Sequence, residues 1–113
     1  MKKSQRRLYE GMFVLSATLS EQARQKALEK ITTSITEKAG EVHKIHDMGR
    51  KKLAYEIGKK REGYYFLIYF SIDPKEIALL WEEYKLHEDL IRYMTKTTET
   101  VLETLEFKPL KLS

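Results

Sequence analysis

Cysteine is absent from this chain of 113 residues, which excludes a disulfide framework and any thiolate chemistry. Proline occurs twice and glycine five times, too seldom for a linker-rich or low-complexity protein. No apolar run approaches the roughly 18 residues that suggest a transmembrane helix. The N-terminus is basic, yet Glu10 follows Arg7 too closely for the apolar core of a secretion signal. No segment repeats. The expectation is a soluble protein of a reducing compartment, with one domain over residues 1–98 and a C-terminal tail over 99–113.

Apolar residues make up 42%, enough for a core, and 34% of the chain is charged. Lys and Arg exceed Asp and Glu by 21 to 17, a net charge of +4. That excess is modest, so its placement matters more than its size. Lys2, Lys3, Arg6 and Arg7 crowd the start, and Arg50, Lys51, Lys52, Lys59, Lys60 and Arg61 form a second basic cluster. Asp73, Glu76, Glu82, Glu83, Glu88 and Asp89 make one acidic segment. Such separation speaks about partners, not about fold.

Leu8 to Leu15 is short, apolar and aromatic, which predicts a largely buried strand; Gly11 within it marks a close approach or a bulge. A helix is predicted over Ser20 to Ala39. Ser20 caps it, Ala23, Ala27, Leu28, Ile31 and Ile35 form its apolar stripe, and Gly40 ends it. Residues 41–57 read as a strand with a bulge near Val42–Ile45 and a break at Gly49. Gly58 to Gly63 reads as a hairpin loop. Tyr64 to Ile72 carries apolar side chains on both faces, as a central strand does. Asp73, Pro74 and Glu76 announce a second helix through a capping box, with Ile77, Leu80, Trp81 and Tyr84 as its buried stripe. Residues 89–98 read as a last strand. For the tail, a short helix involving Val101, Leu102, Leu105 and Phe107 and a loose chain both stay open.

The order β-α-β-β-α-β with right-handed crossovers predicts a ferredoxin-like α+β sandwich: a four-stranded antiparallel sheet with two helices on one face. The opposite face is left for solvent or a partner. Fold alone does not give function.

Catalytic candidates are few. His43 and His46 stand three apart, which in a regular strand puts them on opposite faces and prevents a shared metal. His87 falls near a helix end, where it suits the dipole. Glu82, Glu83, Glu88 and Asp89 read as a solvated acidic surface. No phosphate loop and no nucleophile elbow occur. An enzyme is not expected, nor is a cofactor or a metal.

Two features point to RNA. Glu62 to Tyr69 echoes the aromatic strand of RNA-recognition modules, with Tyr64 and Phe66 as candidate stacking residues. Glu62 and Tyr65 break that signature, and a core strand is the competing reading. Arg50, Lys51 and Lys52 follow Gly49 and suit phosphate neutralisation without base readout. The competing reading is an edge strand protected from aggregation by its charges.

His43-Lys44-Ile45-His46-Asp47-Met48-Gly49-Arg50-Lys51-Lys52-Leu53-Ala54-Tyr55-Glu56-Ile57 resembles the Gly-Arg-basic-x-Leu-Ala-Tyr-Pro-Ile block of the bacterial small-subunit (30S) ribosomal protein six family. Arg7 to Glu10, Gly63 to Tyr65 and Asp89 to Met94 resemble further blocks of that family in order and spacing, over residues 6 to about 98. Glu56 stands where the family has Pro, which returns an amide donor to the strand. The tail after residue 98 matches no family block.

The resemblance implies a ferredoxin-like fold and a structural role in the cytoplasmic ribosome. It implies binding to the central domain of 16S rRNA during 30S assembly, as a heterodimer with small-subunit ribosomal protein eighteen. Carried over by position, it implies rRNA contacts at Arg7, Arg50, Lys51, Lys52 and Arg92. Lys2, Lys3 and Arg6 lie outside the matched blocks and suit phosphate on charge alone. A standalone RNA-recognition module is the runner-up, and a ligand-binding ferredoxin-like domain a third reading.

Overall fold

Alternate residues of two strands do most of the folding. In a computed structural model, which describes residues 6–57 and 60–103, Tyr9, Phe13 and Leu15 and then Phe66, Ile68, Phe70 and Ile72 point to one side of an antiparallel sheet. There they meet Ala27, Leu28, Ile31 and Ile35 of one helix and Ile77, Leu80 and Tyr84 of another. The elements are β1 (Arg7–Ser16), α1 (Glu21–Glu37), β2 (Glu41–Ile57), β3 (Lys60–Ile72), α2 (Ile77–Lys85) and β4 (Leu90–Thr97). The sheet order is β2-β3-β1-β4, so β1 and β3 are central and β2 and β4 are edges. This is the ferredoxin-like sandwich, with both helices on one face.

Gly11 answers to a close approach. A Cβ there would stand 2.6 Å from the Phe13 ring and 3.1 Å from that of Phe70. The neighbouring rings use the space: Tyr9 stacks on Phe70 with centroids 5.7 Å apart, and Phe13 meets Tyr84 edge-on at 5.3 Å.

The end of α1 departs from expectation. Ser20 caps the start, its Oγ accepting the Ala23 amide at 3.1 Å. At the other end the left-handed residue is Ala39, with φ of 60°, and not Gly40. The Gly40 amide reaches back to the Ile35 carbonyl (2.9 Å) and that of Ala39 to Thr36 (3.1 Å), a Schellman closure. Glycine is held at 40 by space: a Cβ would lie 2.7 Å from the Ile35 side chain and 3.0 Å from the Ser71 carbonyl oxygen. The left-handed strain therefore falls on an alanine.

Around Pro74 the capping box is replaced by a single 3-10 turn, Pro74–Glu76. The Asp73 carboxylate accepts the Lys75 amide (3.0 Å), and the Glu76 amide goes to the Asp73 carbonyl oxygen (2.9 Å), so it is no longer offered to the Asp73 side chain. Within α2, Ile77, Leu80 and Tyr84 are buried as expected, but Trp81 is 40% exposed. It sits over the β4 edge and donates from Nε1 toward Thr95 Oγ1 at 3.5 Å.

The acidic surface is not wholly solvated. Glu83 takes a hydrogen bond from Ser34 (3.1 Å) and an ion pair from Lys38, joining α2 to α1. The Lys38 hydrogen bond, helped by Ser34 and opposed by partial burial, holds the Glu83 carboxyl below its ordinary 4.5.

Two outcomes follow. Ala39→Gly should stabilise the fold by about 1 kcal/mol and Gly40→Ala should destabilise it, read from urea midpoints. A lowered carboxyl pKa gives stability that is present above the ordinary value and lost as pH falls through the lowered one. Glu83→Gln should therefore flatten the fall in urea midpoint between neutral pH and about pH 3. An undiminished fall would show that the bridge adds no stability.

Candidate nucleic-acid interface

The second basic cluster straddles the end of β1: Arg50 and Lys51 stand on the last rungs that β1 shares through Tyr64 and Gly63, and Lys52 and Arg61 lie beyond them. β1 stops pairing with β3 at Ser16, opposite Gly63. β2 and β3 continue to Lys52 opposite Glu62, and after a third register shift, with four residues of β2 against one of β3, they pair again at Ile57 opposite Lys60. Lys60 to Gly63 are thus strand rather than loop, and the rest of the expected loop, Gly58 and Lys59, lies outside the described residues.

Two bulges aim the ribbon. One falls between Val42 and Lys44, where it was expected. The other falls between Asp47 and Gly49, and Gly49 takes φ of 79° there without breaking the strand. Asp47 fixes this kink: Oδ1 accepts the Gly49 amide (3.0 Å) and Oδ2 accepts the Tyr64 hydroxyl (3.1 Å). Burial and the Asp47 carboxylate together raise the Tyr64 phenol above its ordinary value.

The proposed contact residues fall into two groups. Arg50 donates to the Ala17 carbonyl oxygen (3.0 Å) and lies 3.7 Å from Glu62, so it also anchors the β1–α1 loop. A guanidinium has five N–H donors, and the exposed remainder is available to an anion. Lys51 is half-buried, and Lys52 and Arg61 are exposed along the same ribbon. Arg92 of β4 is exposed opposite Val14, at the same end of the sheet. Arg7 is exposed at the other end, opposite Ile72. Seven residues of β1 separate it from Val14, roughly 23 Å at the usual rise. Beside it, Leu8, Thr97, Thr98 and Glu99 line an open cleft of about 360 Å³. Lys2 and Lys3 lie outside the described residues, and Arg6 is exposed just before β1.

Arg61 joins the candidate contacts that the sequence named. Its signal was its place in the basic cluster, but a loop assignment hid that it shares a ribbon with Lys52.

The stacking residues of the runner-up reading are misplaced for that task. Tyr64 and Phe66 pair with Leu15 and Phe13 and face the helices. Phe66 is buried in the core. Tyr64 is covered by Arg24 of α1, whose guanidinium lies 4.0 Å from the ring centroid. The face open to a partner carries Tyr65, Leu67 and Tyr69 instead.

The histidines do not act as expected from regular alternation. The bulge at His43 lets both rings reach the open side. His43 Nε2 bonds Ser71 Oγ, and its Nδ1 lies 3.3 Å from Glu41. His46 meets Tyr69 edge-on at 5.9 Å. The carboxylate, imidazole and hydroxyl of Glu41, His43 and Ser71 form a chain, but Glu41 and His43 lie exposed on an edge strand where water competes for each bond. Among the described residues no group of three His, Cys, Asp or Glu could hold a metal. His87 is buried, accepts the Asp89 amide at Nδ1 (3.3 Å) and lies 3.4 Å from the Ala27 carbonyl, tying α1 to the start of β4.

Comparison with known proteins agrees with this frame. The family model described as Ribosomal protein S6 matches residues 8–96. The chain is similar to the small ribosomal subunit protein bS6 of Chlamydia pneumoniae, with 57% identity over 110 residues, 97% of this chain and 98% of that protein. It is 60% identical to the protein of the same name from Chlamydia trachomatis serovar L2, with the same coverage. The crystal structure of 30S ribosomal protein S6 from Thermotoga maritima superposes with a TM-score of 0.78 at 34% identity, over 83% of this chain and 89% of that one. The similarity to the chlamydial proteins spans nearly the whole chain, so it extends past the block that ends near residue 98.

Because Phe66 is core, Phe66→Ala should cost about 3–5 kcal/mol of stability by denaturant unfolding. A folded variant of unchanged stability that fails to bind RNA would restore the stacking reading.

Proposed function

The chain belongs to the ribosomal protein S6 family, and from that premise we propose that it binds the central domain of 16S rRNA in partnership with small-subunit ribosomal protein eighteen during 30S assembly. At the coarser level it is a small ribosomal subunit protein, a structural component of the cytoplasmic ribosome and not an enzyme.

The observation that supports the RNA reading is the basic run where the β2–β3 ribbon passes the end of β1. Arg50, Lys51, Lys52 and Arg61 lie on it, with Glu62 the one carboxylate among the described side chains of residues 50–53 and 61–63. Arg50, Lys51, Lys52 and Arg92 at one end of the sheet and Arg7 at the other would neutralise phosphates. At roughly 23 Å apart along β1 the two groups would reach phosphates on separate backbone segments of a folded RNA. In this reading neither group reads bases, affinity comes from charge and specificity comes from the shape of the RNA.

The partner protein would dock on the sheet face away from the helices. Leu67 and Tyr69 lie on that face but are buried in this structure, and Arg92, Met94 and Lys96 border it on β4. Met94 is 64% exposed, an apolar side chain suited to burial by another protein. Two modest interfaces linked through one fold give selectivity that neither has alone.

The test measures binding to a central-domain 16S rRNA fragment across salt concentrations, with and without protein eighteen. Replacing Arg50, Lys51 and Lys52 together by Ala should weaken binding and reduce the salt slope by about two to three. An unchanged slope would exclude these residues as phosphate contacts. Equally tight binding without the partner would remove the heterodimer from the mechanism.

A further inference from the structure

The sheet face away from the helices is not bare. After β4 the chain turns across it, with the Thr98 amide donating to the Leu8 carbonyl oxygen at 3.0 Å. Four residues later it has reached the opposite edge. The Leu102 carbonyl oxygen lies 2.6 Å from His46 Nε2, and Glu103 lies 3.6 Å from Lys44 Nζ, both on β2. The Leu102 backbone also comes near the Tyr69 hydroxyl of β3. β4 and β2 are the two edges of the sheet. Three strand spacings of about 4.8 Å separate them, and six extended residues suffice for that span with little slack. No helix forms between 98 and 103, so the short-helix option for the tail does not apply to this stretch.

What lies beneath is unusual for a face without helices. Tyr69 is 0% exposed, its hydroxyl donating to Glu10 at 2.9 Å, and Leu67 is buried beside it. What holds the covering segment is slight. Its ion pair is exposed on both sides, and Leu102 and Glu103 are themselves largely exposed. Solvent and salt compete for such contacts. A cover held, among the described residues, by such exposed bonds is displaceable by a surface that buries the same ring better.

We propose that Thr98–Glu103 is an intramolecular strap that lies over the protein-docking face of the sheet and is displaced when the partner protein binds. This rests on the reading that the open face is the docking surface. The strap would keep Tyr69 and Leu67 from nonspecific contacts while the protein is alone. It would also lower the partner's apparent affinity by the fraction of molecules in which the face is closed.

The test uses the full chain in two forms. Glu103→Lys sets two cations against each other and loosens the strap. A Lys44→Cys, Glu103→Cys pair, placed in a chain with no other cysteine and bridged by a short bis-maleimide, locks it. The same double variant capped singly at each thiol is the control. Nitration of Tyr69 by tetranitromethane, located by peptide mass, reports the strap without any partner. It should rise several-fold in Glu103→Lys and fall in the bridged chain. Calorimetric affinity for protein eighteen should tighten about threefold or more in the first and weaken about tenfold or more in the second. Equal affinity in all forms overturns the strap while leaving the docking partner intact. Weaker binding by Glu103→Lys makes the segment part of the docking surface, which also overturns it. No binding by any form sinks the partner reading, and the strap's role in docking falls with it. Unchanged nitration shows that the segment does not cover the face.

Discussion

The molecule depends on one asymmetry: both helices pack on the same side of the sheet. Tyr9, Phe13, Leu15, Phe66, Ile68, Phe70 and Ile72 are thereby committed to the core. The alternate residues of the same strands are committed to the other face, because a one-residue slip would exchange the two sets. Every feature with a functional bearing is on what this arrangement leaves over: the open face, the two edges and the ribbon beyond β1. The separation is also why core and interface can be changed independently. A substitution at Phe66 acts on stability, whereas one at Lys52 acts on charge.

The regular elements were legible in the sequence because each was specified twice, by period and by punctuation. α1 had a 3.6-residue stripe and Ser20 before it, and β3 had a continuous apolar run after a glycine. Where only one signal existed, the reading slipped. Gly40 was read from its type alone as the residue that ends α1. Its true constraint is the closeness of Ile35 and Ser71, which is tertiary and leaves no local mark. Trp81 fitted the helical stripe of α2, but a nine-residue helix beside an edge strand has less sheet to cover, and its indole stays at the rim. Glu83 looked solvated because its partners Ser34 and Lys38 are 49 and 45 residues away.

The candidate site was legible in identity more than in geometry. Arg50, Lys51, Lys52 and Arg92 could be named from their blocks, but nothing in a linear sequence says that Arg92 lies at the ribbon end and Arg7 at the other. That follows only from the register of β1 with its two neighbours. The histidines show the limit most clearly. Alternation assigned His43 and His46 to opposite faces, and one extra residue in the strand brought both to the same side. A bulge was foreseeable from the parity of Val42 and Ile45; which residue it would release was not.

The two bulges of β2 also bear on how an edge strand can serve two masters. An edge must resist pairing with another chain, and bulges and charges do this by twisting the strand and interrupting its ladder. Lys44, Arg50 and Lys52 supply such charge along β2. The edge reading and the phosphate reading of the basic cluster are therefore not alternatives. A lysine that discourages another strand by its charge and hydration attracts a polyanion by the same charge. What separates the two roles is position: edge protection needs charge only beside the sheet, whereas Lys52 and Arg61 lie past the last rung that β1 shares, where charge suits the phosphate reading better than the edge reading.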